Sequence, residues 1–172
     1  DHMLWLGRYL ERAEGLIRLL RSVYRRLASE NRPEDIPELE FLLNLLRSTH
    51  TLPPLAEDET ITVEELEMQL IEAFYRQDKA ESVIAILKRV QEAARNVRDR
   101  LSRDSWRVIN RLEEFGDNPT SDPLDLLDNT LFTLSAFSGL AMEGMTRSLG
   151  WRFMDMGRRI ERALHQIGLI SF

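Results

Sequence analysis

Apolar residues recur along this chain at helical spacing. Leu6, Leu10, Ala13, Ile17, Leu20, Tyr24 and Leu27 follow one another at steps of four and three. That seam predicts one long helix over about residues 3–29. Asn31-Arg32-Pro33 supplies its stop. Leu39, Leu42, Leu43 and Leu46 predict a second helix over 38–50, and Pro53-Pro54 breaks the loop that follows. Thr62 with Glu65 is a capping box, opening a third helix to about Tyr75. Ser82 starts a fourth, whose apolar face runs from Val83 to Leu101. Ser102 is a natural N-cap for a fifth, through Trp106 and Ile109 to Phe115, with Gly116 after it as C-terminal stop. "GDNPTSDP" is the clearest linker, and Asp122-Pro123 opens a helix to about Met145. Leu149, Phe153, Met156, Ile160, Ala163, Ile167 and Ile170 repeat the four-three seam. They predict a last helix from about Gly150 to the end, with that seam turned to the core. No run alternates as a strand would. The expected fold is an all-α bundle of about six or seven helices, in one domain over 1–172.

The first and last helices share more than a seam. "LGRYLERAE" (6–14) and "MGRRIERAL" (156–164) write Gly-Arg-x-x-Glu-Arg-Ala twice, 150 positions apart. On a helical wheel Arg8, Glu11 and Arg12 fall opposite Leu6, and Arg158, Glu161 and Arg162 fall opposite Met156. A solvated polar face explains each residue taken alone. Gly7 and Gly157 argue against it, because a mid-helix glycine costs roughly 1 kcal/mol against alanine. A solvated face gains nothing from that cost. Trp5 and Leu16 also flank Arg12, and Trp151 flanks Arg162. The favoured reading packs the two terminal helices side by side, glycines at the contact, each Glu between Arg side chains. Arginine suits such a network because its planar fork binds carboxylates in two places.

Composition narrows the chemistry. The 172 residues include no cysteine, which removes disulfides and thiolate sites and fits a reducing, cytoplasmic setting. No apolar run reaches the ~18 residues of a membrane span, and no signal-peptide pattern is visible. The net charge of −6 conceals alternating blocks: +3 over 1–32, −10 over 33–81, +5 over 82–112, −7 over 113–143 and +3 over 144–172. An acidic chain without a basic tail argues against nucleic-acid binding. No metal site is expected: carboxylate-bridged bundles use Glu-x-x-His, whereas His165 follows Glu161 by four and His50 has Arg47 three before it. No glycine-rich phosphate loop or serine nucleophile with a base emerges, so neither cofactor nor catalytic residue is assigned.

"WLGRYLERAE" (5–14), "VRDRLSRDSWRVINRLE" (97–113) and "FSGLAMEGMTRSLGWRFMDMGRRIERAL" (137–164) together resemble the bacterial alpha-E domain family. The third stretch is the most specific, and the match spans essentially the whole chain. The family's motif falls on Gly7, Arg8, Glu11 and Arg12, then on Arg98, Asp99, Ser102 and Trp106. It continues at Met145, Arg147, Gly150, Trp151, Phe153, Gly157, Arg158, Glu161 and Arg162. Gln91 and Ala93 depart from the usual central Arg and Asn. Members are often longer, so the chain reads as an excised domain or a short form. The resemblance implies company rather than an activity. Its partners are circularly permuted ATP-grasp amide ligases and transglutaminase-like proteins, in a system that makes or modifies peptides.

Three functions stay open: a non-catalytic docking domain for such a ligase, part of an active site with an Arg-rich anion site, or a structural module. The anion reading gathers Arg8, Arg12, Arg95, Arg98, Arg147, Arg152, Arg158 and Arg162, against Glu11, Asp99, Asp155 and Glu161. The competing and favoured expectation is that basic helices meet acidic ones at their rims. A docking domain should expose an apolar patch. A catalytic site should bring a titratable group beside a pocket.

Overall fold

The computed structural model describes residues 2–28, 36–56, 61–116 and 122–170. It is all-helical there. The helices are α1 (His2–Leu27), α2 (Pro37–Ser48), α3 (Val63–Tyr75), α4 (Val83–Asn96), α5 (Arg103–Asn110), α6 (Pro123–Gly144) and α7 (Leu149–Ile170). The expected stop at Asn31–Pro33 and most of the linker after Gly116 lie outside the described residues.

The polar signals work locally as their chemistry requires. Thr62 and Glu65 close the capping box of α3. The side chains of Ser82, Ser102 and Asp122 accept from the amides of Ala85, Ser105 and Leu124, opening α4, α5 and α6. Each satisfies an amide that has no partner inside its helix. Two boundaries differ from the sequence reading. α4 stops at Asn96, and a 3₁₀ turn at Arg98–Arg100 precedes Ser102; α5 tightens after Asn110 into a second 3₁₀ turn, Arg111–Gly116. Apolar periodicity runs through both breaks, because a short 3₁₀ turn shifts the face of the helix only slightly.

α1 is the central helix, packed against α7, α4 and α6. Leu6, Leu10, Ala13, Ile17 and Leu20 are completely buried. Each large apolar side chain so placed contributes about 1.5–3 kcal/mol. Partners across the core include Val83, Leu87 and Val90 of α4 and Leu134 and Phe137 of α6. Among the described residues no helix is long and apolar enough to cross a membrane.

α7 corrects the sequence reading. Its seam faces outward: Leu149 is 70% exposed, Ile167 61% and Ile170 84%, and Phe153, Met156 and Ile160 are exposed as well. What α7 buries is Gly150, Met154, Gly157 and Glu161. The wheel had the two faces reversed, because close backbone packing and charge pairing, rather than apolar area, dock this helix.

Candidate functional site

α1 and α7 run parallel. The register follows from their contacts: Gly7 lies against Met154, Glu11 against Arg158 and Arg162, and Gly15 against His165. A Cβ on Gly7 would collide with the carbonyl oxygen of Met154, and one on Gly157 with that of Leu4. Each glycine thus admits the other helix's backbone, which sets how near the two motifs come. The exchange is reciprocal, and the helices are related by a local twofold.

The charges obey the same symmetry. Glu161 accepts from Arg8 Nε at 2.9 Å and Arg12 Nε at 2.6 Å. Glu11 accepts from Arg158 Nε at 3.0 Å and Arg162 Nε at 2.7 Å. Each motif therefore delivers two guanidiniums to the other motif's carboxylate. Glu11 and Glu161 are 6% and 3% exposed. Burial by itself would raise the carboxyl pKa of Glu11; hydrogen bonds from Arg162 and Arg158 outweigh it and hold it below the ordinary value. Arg12 and Arg8 do the same for Glu161 against its burial. Both are carboxylates at neutral pH.

A third carboxylate, Glu14, completes the network. It is buried and accepts from Ser138 Oγ at 3.0 Å, Arg18 at 3.1 Å and Arg158 at 3.3 Å. Sequence reasoning passed over Glu14 and Ser138. The available signal was a second stripe on the first helix, Gly7, Glu11, Glu14 and Arg18, at steps of four, three and four. Gly150, Met154, Gly157 and Glu161 repeat that spacing on α7.

The other expected site residues do not join this network. Asp155 pairs with Arg159 on its own helix, and Arg95 pairs with Glu113. Arg98 is exposed and lies over Trp106, its guanidinium carbon 4.8 Å from the ring centre. Arg147 lies over Trp151 in the same way at 5.6 Å, and Arg8 over Trp5 at 4.9 Å. Asp99 and Arg152 are exposed. Among the described residues the buried Trp151 Nε1 has no hydrogen-bond partner. The expected cluster of eight arginines is thus divided. The four of the repeated motif are spent on buried glutamates, and the rest sit on the surface.

A cleft of about 580 Å3 opens beside the network, between α1, α2, α4 and the C-terminal half of α7. His165 lines it. Its ring lies against α1 where Gly15 leaves room; a Cβ there would come 2.6 Å from His165 Cε1. Burial holds the His165 pKa below 6.5, with Arg12 lowering it further and Glu161 and Glu11 opposing. No group of three or more metal-ligating side chains occurs among the described residues.

A helical chain built around two Glu-Arg motifs matches the Alpha-E family model, described as a predicted alpha-helical domain with a conserved ER motif, over residues 1–172. The chain belongs to this family. It is also similar to uncharacterized proteins of Mycobacterium bovis and of two Mycobacterium tuberculosis strains, each 30% identical over 187 residues. The match covers 98% of this chain and 21% of each relative, so the chain spans about a fifth of the length of these curated proteins. No solved structure matches it.

Proposed function

We propose that this chain is a non-catalytic docking domain for an ATP-grasp-type amide ligase in a cytoplasmic system that makes or modifies peptides. The observation that carries the reading is the bare apolar face of α7. Leu149, Phe153, Met156, Ile160, Ile167 and Ile170 form a stripe three heptads long, exposed to solvent. A protein gains nothing from such a stripe alone, and contiguous exposed apolar surface marks interaction sites. The Glu-Arg network behind it is a clamp that fixes the direction of α7 and contributes no chemistry to the reaction. The occupant is a ligase surface that is apolar at its centre and acidic at its rim. Arg152 and Arg159 border the stripe, Arg159 already holding Asp155, and that basic edge disfavours a second α7 while steering carboxylates. That the chain covers only a fifth of its relatives suits a module working beside larger catalytic parts.

The test pairs the purified chain with the ATP-grasp ligase encoded beside or fused to it, and measures binding by calorimetry. The expected result is a complex that Phe153→Asp and Ile160→Asp abolish while the melting temperature of the free domain holds. If the ligase does not bind, or both variants bind as well as the parent, the docking reading fails.

A further inference from the structure

The cleft beside His165 has the character of a small-molecule site. Its volume of about 580 Å3 lies in the range of ligand clefts. Leu16, Leu19, Ile86 and Leu164 make apolar walls. Three arginines reach it: Arg12, Arg18 and Arg89. Arg12 gives its Nε to Glu161, and Arg18 gives one terminal nitrogen to Glu14. Arg89 is half-buried and pairs with no carboxylate among the described residues. It is the one cleft arginine of the three without an acidic partner, and Arg18 keeps donors to spare. Water still reaches the Arg89 guanidinium, and a carboxylate can displace that water and take two donors of the planar fork at once. Arg12 and Arg18 already face Glu161 and Glu14, and Glu81 stands at the rim, so Arg89 is the cleft guanidinium left to meet an anion. A single negative charge matches that one guanidinium; a doubly charged phosphate exceeds it.

We infer that this cleft binds a carboxylate carried on an apolar body, with Arg89 and Arg18 taking the carboxylate and the leucine walls taking the body. His165 lines the same space. The site is separate from the docking face of α7, and small probes test it without any protein partner. The carboxylate can arrive in two ways: as the C-terminus of a peptide ending in apolar residues, or as a free aliphatic acid.

The experiment titrates the chain with N-acetyl-leucyl-leucine, with its C-terminal amide and with octanoate, using acetate to match ionic strength. Thermal shift and amide NMR read the result. A carboxylate ligand should raise the melting temperature beyond acetate. It should also move the amides of Leu164–Leu169 and Ser48–Thr51, while the leucyl-leucine amide does neither. Binding of the peptide acid alone assigns the source as a peptide terminus; binding of octanoate alone assigns a free acid; both together support the shared chemistry. Arg89→Gln should weaken binding roughly tenfold, the factor that 1.4 kcal/mol represents, with the unliganded melt unchanged. NMR mapping on the parent chain keeps the test decisive if that variant folds poorly. The inference is overturned if acid and amide bind alike, if neither acid binds at millimolar concentration, or if the shifted amides lie outside the cleft.

Discussion

α1 and α7 carry the same motif and the same apolar seam, yet the bundle treats them differently. α1 buries both faces: Leu6, Leu10, Ile17 and Leu20 on the seam, and Gly7, Glu11 and Glu14 on the motif side. α7 buries only its motif side and leaves the seam bare. An apolar stripe at helical spacing therefore says that a surface is made for contact. It does not say whether the contact is inside this domain. In α1 the stripe is core; in α7 it is available for something else.

The largest effects should come from the face the two helices share. Glu161→Gln leaves Arg8 and Arg12 without a carboxylate, whereas Glu11→Gln strands Arg162 and leaves Arg158 with Glu14. Removing one partner of a buried pair costs about 3–5 kcal/mol. Glu161→Gln should cost the more of the two, since Glu14 still faces Arg158 in Glu11→Gln and no second carboxylate faces Arg8 or Arg12 among the described residues. Urea unfolding of both measures this. Losses below about 0.5 kcal/mol, the size of an exposed helical ion pair, would mean the network is a solvated face after all.

The seams should separate the helices more sharply still. Ile17 is fully buried, and Ile17→Ala should cost about 3 kcal/mol. Ile160 is 39% exposed at the corresponding kind of position on α7, and Ile160→Ala should change stability by less than about 0.5 kcal/mol. Equal losses would place the α7 seam in a core.

The sequence was a good guide where a signal is local. The capping residues Thr62, Ser82, Ser102 and Asp122 act on amides two or three residues away, so their pattern is nearly self-contained. The pairing of Gly7 with Gly157 was also readable, because a costly residue twice in one motif needs a reason outside its own helix. The orientation of α7 was not. Apolar periodicity ranks faces by hydrophobicity, and α7 docks through glycines, a methionine and a charged pair that such a ranking puts last. Glu14 was hidden for a related reason: its partner Ser138 lies on another helix, 124 positions away, and carries no charge to announce it. The cleft needed four helices to be placed before Arg89 and His165 could be seen on one surface.

The smallest effect concerns acid, and it again contrasts parts of the shared interface. His165 is held below its ordinary pKa of 6.5, mainly by burial, with Arg12 of α1 also disfavouring charge and Glu161 and Glu11 favouring it. The folded state then binds fewer protons than the unfolded chain, so stability conferred by the neutral ring is full above about 6.5 and declines as pH falls through that value. Glu11 and Glu161 are held below the ordinary carboxylate value of 4.5, so their contribution is full above that value and is lost only as pH falls past it toward their folded-state values. Acid should therefore weaken the domain in two stages, a shallow one below neutrality from the imidazole and a steep one in stronger acid from the glutamates. Urea melts across this range resolve them. His165→Gln should flatten the first stage and leave the second, because the glutamates keep their arginines. A profile that keeps its shallow slope in that variant would place the first titration elsewhere.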